Sequence, residues 1–119
     1  MKLSGFFKLT DYSLTHNILL LRSSSIVDDS VENTDIFFSS TFYIETVSYF
    51  QDVEIRNGTQ EECDYILKKC DPEFVEALSS EEVFVLTSNN TNYYIGARKM
   101  EILKNNLDPS ETSIGVKRK

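Results

Sequence analysis

His16 is the only histidine in the chain, and Asp11 lies five residues before it. A hydrolytic triad needs a base held by a carboxylate beside an activated nucleophile. Serines are plentiful here, but no Gly-x-Ser-x-Gly elbow presents one, so a histidine at a strand edge or cap is the plainer reading. Cys63 and Cys70 with one distant histidine do not match zinc-ligand spacing. The four glycines are scattered and form no phosphate-cradling loop. Asp28, Asp29, Glu32 and Asp35 gather acid in a short stretch, but the central glycine and terminal glutamate of a calcium loop are missing. A solvated acidic loop accounts for them. The expectation is a protein that is not an enzyme, with no catalytic residue, no metal site and no cofactor.

Two patterns remain that could carry recognition. From 60 to 82 the acids are Glu61, Glu62, Asp64, Asp71, Glu73, Glu76, Glu81 and Glu82, against only Lys68 and Lys69; this stretch holds −6 of the net charge of −7. The second pattern is aromatic: Phe37 and Tyr43 fall on the polar face of a long strand, with Tyr49 just beyond. Aromatic side chains beside charge mark interfaces better than bulk hydrophobicity does. The expected partner surface is therefore Glu61, Glu62, Asp64, Glu73, Glu76, Phe37, Tyr43 and Tyr49, facing a basic protein. Against this, a loop or the tail could simply cover Phe37 and Tyr43. The alternative is a small-molecule-binding domain with a cleft between sheet and helix, lined by Tyr93, Tyr94 and Arg98.

Composition narrows the partners. A protein with 12 basic and 19 acidic residues is repelled by nucleic-acid phosphates and anionic membranes. Neither is expected as a ligand. The opening stretch is too short in apolar residues, and too soon interrupted by Lys8 and Asp11, for a signal peptide. No apolar run approaches the roughly 20 residues that span a bilayer, so the expected location is cytoplasmic. In that setting Asn57-Gly58-Thr59 and Asn89-Asn90-Thr91 mean turns, not glycans.

The elements that must position these residues follow from local signals. Thr59 and Glu62 have the spacing of a capping box. Cys63, Ile66, Leu67 and Cys70 continue it as one apolar stripe, predicting a helix over 60–70. On that helix the two cysteines stand about 10.5 Å apart by rise alone, too far for a mutual disulfide. Asp71-Pro72 ends the helix and could start a second short one over 72–79. Residues 35–47 alternate, with Ile36, Phe38, Phe42 and Ile44 on one face and Phe37, Ser39, Thr41, Tyr43 and Glu45 opposite, predicting a strand. Further strands are expected at Leu3–Leu9, Ile18–Arg22, Asp52–Arg56, Glu82–Thr87 and Tyr93–Leu103. A loop over Ser88–Asn92 joins the last two. Gly96 suggests a bulge or bend.

The expected fold class is α+β: a single curved antiparallel sheet of about six strands, in the order β-β-β-β-α-β-β, with one main helix packed on one face. The chain, at 119 residues, is one domain over 1–107 with a polar tail at 108–119. Edge strands of an open sheet could pair across a two-fold axis, which leaves a homodimer open.

His16-Asn17-Ile18-Leu19-Leu20-Leu21-Arg22, followed by Asp35-Ile36-Phe37-Phe38 and Val53-Glu54-Ile55, resembles small uncharacterised bacterial proteins, some of them immunity proteins of polymorphic toxin systems. The similar stretch covers about half the chain. The resemblance implies a non-enzymatic, acidic partner-binder, an inhibitor of a toxin, and it designates no site residue.

Overall fold

The structure, a computed structural model, describes residues 1–108, 110–112 and 114. Six strands are present: β1 (Lys2–Ser13), β2 (Ile18–Val27), β3 (Ser30–Glu45), β4 (Tyr49–Asn57), β5 (Val83–Ser88) and β6 (Thr91–Asn105). One helix, α1 (Gln60–Leu67), and a 3-10 turn at Ser80–Glu82 lie between β4 and β5.

The sheet is not open and curved, as the sequence suggested. It closes into an antiparallel barrel in the order β1-β2-β3-β6-β5-β4. Closure depends on β1, which is longer than the Leu3–Leu9 segment read from the sequence and pairs on both sides. Phe7–Ser13 pair with β2, and Lys2–Lys8 pair with β4. The two pairings overlap at Phe7 and Lys8, and the pairing with β4 carries a bulge just before them. Gly5 sits at φ 131 and Asp52, opposite, at φ 57, and the register shifts between Leu3 and Phe6. Only glycine adopts the first of these angles freely.

Period-two alternation fills the barrel. Phe7, Leu19, Leu21, Ile36, Phe38, Phe50, Val53, Ile55, Phe84, Leu86, Ile95 and Ala97 form its interior. Phe38 and Phe84 meet edge-on, with centroids 5.5 Å apart. Three strands are apolar on their outer side as well, because something covers them. Val83 and Val85 of β5 lie under Cys63 and Ile66 of α1. Leu20 of β2 and Phe37 of β3 lie under Ile114. This explains why Ile18–Leu21 and Val83–Leu86 read as unbroken apolar runs.

Two hairpins turn in two residues. Asp28 and Asp29 join β2 to β3, and Asn89 and Asn90 join β5 to β6; all four have positive φ. Asn and Asp tolerate that region, which matches the right-handed twist of the flanking strands. The expected loop over Ser88–Asn92 thus shrinks to Asn89-Asn90. In β3, Ser40 has φ 49 and the register against β6 shifts between Thr41 and Tyr43. Phe42 does not join Ile36 and Phe38 inside. Its ring lies over Gly96 beside the Tyr43 Cβ, where a Cβ on residue 96 would come within 2.6 Å of the ring.

The helix starts where the capping box places it. Thr59 Oγ1 accepts from Glu62 N at 3.2 Å, and Glu62 Oε1 accepts from Thr59 N at 2.9 Å. It ends at Leu67 instead of 70, before Cys70 is reached. The second helix over 72–79 does not form. Phe74 N and Val75 N both donate to Asp71 O, making one turn that stops there. Only Val75 and Leu78 of that stretch are shielded, and Phe74 is 83% exposed. So short a helix with so little to bury cannot offset its nucleation cost.

The segment after β6 returns to the barrel. Arg22 and Asp35, directly paired across β2 and β3, form a buried bidentate ion pair with distances of 2.7 and 3.0 Å. Arg22 Nη1 also donates to Glu111 O at 2.7 Å, and Thr112 Oγ1 donates to Asp11 Oδ2 at 2.7 Å. Asn105 Nδ2 donates to Asp35 Oδ2, and Asn33 Nδ2 to Asn105 Oδ1 and Leu107 O. These bonds hold Leu107, Glu111 and Thr112 on the outer side of the barrel, and Ile114 packs on Phe37. Pro109, Ser113 and Gly115–Lys119 of the expected tail lie outside the described residues.

Candidate functional site

The length of β5 decides where the barrel wall is incomplete. β4 pairs with β5 only through Glu54–Asn57, because β5 stops at Ser88. Tyr49–Val53 therefore have no strand on that side, and Ser88 Oγ donates to Gln51 O at 3.1 Å in place of a further rung. The gap is a hollow of about 690 Å³ lined by Phe6, Val47, Ser48, Tyr49, Phe50, Gln51, Ser88, Asn89 and Tyr93. Phe50 faces inward and meets Tyr93 edge-on at 5.2 Å. Tyr49 and Phe6 are outward neighbours on the strand pair, with ring centroids 5.8 Å apart. They stay 60% and 44% exposed. The hollow is aromatic, with amide and hydroxyl groups at its edges and no charged side chain in its lining.

A second set of side chains ties α1 to the end of β3. The Tyr43 hydroxyl donates to Glu45, and Tyr65 Oη donates to both Glu45 oxygens at 2.9 and 3.0 Å. Lys69 Nζ donates to Tyr65 Oη at 2.9 Å and stands 4.4 Å from the Tyr65 ring centroid. Burial, then the Glu45 carboxylate, push the Tyr43 hydroxyl well above the usual tyrosine range. Burial works to raise the Glu45 carboxyl, but hydrogen bonds from Tyr43 and Tyr65 outweigh it and hold the group below its usual range. Tyr43 is thus spent within the fold.

The acids expected to form a partner surface divide into two kinds. Glu61, Glu73 and Glu76 are exposed, and Asp64 is exposed while accepting from Gln60 Nε2 at 3.0 Å. Glu62 is partly buried and closes the capping box. It also binds Arg56 with two bonds of 2.6 and 3.0 Å. The Arg56 hydrogen bond holds its carboxyl below the usual range. Glu73 and Glu76 flank a groove of about 520 Å³ beneath the Asp71–Leu78 segment, with Phe74 and Arg98. Phe37, at 3% exposure, is buried beneath Ile114 and is no surface anchor.

The residues of the sheet–helix cleft are not brought together. Tyr93 points into the barrel hollow, Tyr94 packs on the outside against the α1 cluster, and Arg98 lies exposed by the Glu73–Glu76 groove. His16 is exposed in the β1–β2 turn, while Asp11 is occupied by Thr112. Among the described residues no group of three or more His, Cys, Asp or Glu is placed to hold a metal ion. Asp35 is engaged by Arg22, not by the Asp28–Asp29 turn. Cys63 is buried and Cys70 partly so; both are free thiols, and burial raises both. Among the described residues no helix is long and apolar enough to cross a membrane.

Sequence reasoning found Tyr49 and, as the lining of a different cleft, Tyr93, but missed Phe6, Phe50, Gln51 and Asn89. The alternation Tyr49-Phe50-Gln51 was a usable signal, since it sets one ring out and one in. Nothing local shows that β5 stops opposite Gln51. A scan of protein-family models, a search of curated proteins and a search of solved structures each return no match.

Proposed function

We propose that this chain is a non-enzymatic interaction module that binds a basic protein partner, in the manner of an immunity-type inhibitor of a toxin. The observation that carries the reading is the exposed acid of the β4–β5 crossover: Glu61, Asp64, Asp71, Glu73, Glu76 and Glu81 all face solvent. Among the described residues, only Glu62 in this stretch is neutralised by an arginine. A barrel side so charged speeds encounter with a cationic surface, and Tyr49 offers an aromatic anchor that Phe37 and Tyr43 do not.

The test is association kinetics with a captured basic partner at two salt concentrations. Reversing Glu61, Asp64 and Glu76 to lysine spares the Glu62 cap and its Arg56 pair. Slower association with a flatter salt dependence is expected. An unchanged on-rate would reduce the acidic crossover to a solvated face.

A small-molecule reading is favoured by one separate observation, the aromatic hollow between β4 and the β5–β6 turn.

A further inference from the structure

We infer that the hollow between β4 and the Asn89-Asn90 turn is a binding site for a neutral, planar, nitrogen-bearing heterocycle of nucleobase size. The inference gives the small-molecule reading its ligand class and its place in the fold. It does not rest on the acidic β4–β5 connection, and shares only Tyr49 with the protein-partner reading.

The shape argues first. At about 690 Å³ the hollow lies within the range of small-ligand sites. Its depth is limited by Phe50 and Tyr93, whose edge-on contact makes a floor instead of a tunnel. A long aliphatic chain would want an enclosed apolar tube, which the filled barrel interior does not leave. A flat ring can lie against Tyr49, which is 60% exposed, beside Phe6, whose ring has Lys8 Nζ 5.8 Å from its centroid. Stacking on aromatic side chains tolerates any base because each has a π-face.

The lining chemistry argues second. The lining contains no charged side chain to neutralise a carboxylate or a phosphate, and the neighbouring Lys8 ammonium stands 5.8 Å from the Phe6 ring centroid. The net charge of −7 adds repulsion against either. What the rim does offer is both donor and acceptor capacity. Gln51 and Asn89 each carry a carbonyl oxygen and an NH₂ group, and Ser48, Tyr49 and Tyr93 carry hydroxyls. A heterocycle with alternating donors and acceptors along its edge matches that set, and an apolar disc does not.

Placement argues third. The amides are fixed by the same local features that open the gap. Gln51 precedes the Asp52 bulge, its Nε2 3.3 Å from Asp52 Oδ1 and its backbone oxygen held by Ser88. Asn89 is held at φ 52 by the two-residue turn. The polar groups therefore sit on backbone that is already ordered, which lowers the cost of binding.

The experiment uses adenosine and guanosine as probes on the full chain, read by amide chemical shifts. Saturable binding is expected, with shifts centred on Phe6, Tyr49–Gln51, Asn89 and Tyr93. Tyr49→Ala should weaken it roughly tenfold, and Tyr49→Phe should retain most of it. Gln51→Leu, which leaves the rings in place, should weaken both nucleosides. Leu14→Ala, in an exposed turn, should change nothing. The 5′-monophosphates should bind more weakly than the nucleosides. Circular dichroism of each variant separates loss of site from loss of fold. Absence of saturable shifts with both nucleosides, shifts centred elsewhere, or a neutral disaccharide or fatty acid binding in preference at the same residues would each overturn the assignment. None of these outcomes touches the protein-partner reading, which is tested by the charge reversals.

Discussion

The Gly5 amide donates to Asp52 Oδ1 at 2.8 Å, across the bulge in the pairing of β1 with β4. The bulge leaves an N–H out of the ladder, and the carboxylate opposite takes it. Both residues have positive φ, so the seam that closes the barrel is held at two unusual backbone positions joined by one hydrogen bond.

Gly5→Ala should therefore destabilise strongly, by about 2 kcal/mol. The new Cβ would stand 2.5 Å from Ser23 Oγ at a φ of 131, which L side chains rarely adopt. Urea melts against the wild type read the loss. Asp52→Ala removes an exposed acceptor and puts alanine at a positive φ that Asp tolerates better, and should cost less, about 1 kcal/mol. Equal midpoints for Gly5→Ala and wild type would mean that the seam is not under this constraint.

Thr59→Ala should cost about 1 kcal/mol through loss of the acceptor for Glu62 N. The denaturation midpoint is the readout, and a Thr59→Ser control should retain most of the stability.

Acid should weaken the fold through Glu62. Its folded carboxyl lies below the usual range because Arg56 donates to it. Its contribution is then fully present above the unfolded carboxyl value, near pH 4.3. It is lost as pH falls through the lower folded value. Glu45, held low by Tyr43 and Tyr65, adds in the same direction. Stability measured between pH 6 and pH 3 should fall less steeply for Glu62→Gln than for wild type. A parallel pH profile would show that the Arg56 pair is too solvated to matter.

Arg22→Met should destabilise by roughly 3–5 kcal/mol, because it strands the buried Asp35 carboxylate. Pairing it with Asp35→Leu should recover much of that loss, though the tail would still lack the Arg22 bond to Glu111 O. A double-mutant cycle by chemical denaturation gives the coupling. Additive losses would place the stabilising bonds elsewhere in the Asn33–Asn105 network.

Native thiol labelling should be biphasic. Cys63 is buried on the inner side of α1 and Cys70 only partly covered beyond the helix end, so Cys70 should react first. Both should react slowly near neutral pH, since burial keeps the thiols protonated. Unfolded protein should label fully at one rate.

What could be read from the chain was local. The Thr59–Glu62 box sits within one helical turn, so neighbouring residues suffice to specify it, whereas the Asn89-Asn90 turn was legible only as a longer loop over Ser88–Asn92 and the Asp28-Asp29 turn only as an acidic loop. Barrel closure was not readable, because it rests on Gly5 meeting Asp52 and on β1 serving two neighbours. The apolar character of Phe37 was plain, but its cover, Ile114, arrives from far along the chain. The same holds for the hollow. Its aromatic residues come from β1, β4 and β6, and the gap they surround exists only because β5 is short. An acidic helix, by contrast, announces itself in composition, which is why the sequence drew attention there.

Closure of the barrel also bears on how the chain folds. Its last seam joins the first strand to the fourth, and its longest pairing sets Asn33 against Asn105. Neither the first hairpin nor the last has a closed core of its own, since the interior is shared by all six strands. Intermediates lacking either seam gain little burial while losing much chain entropy. Folding should thus be all-or-none and slow for the size of the chain, on the millisecond-to-second scale of β-barrels dominated by non-local pairs. Nascent chain emerging from a ribosome would stay unpaired until β6 is free to close on β3.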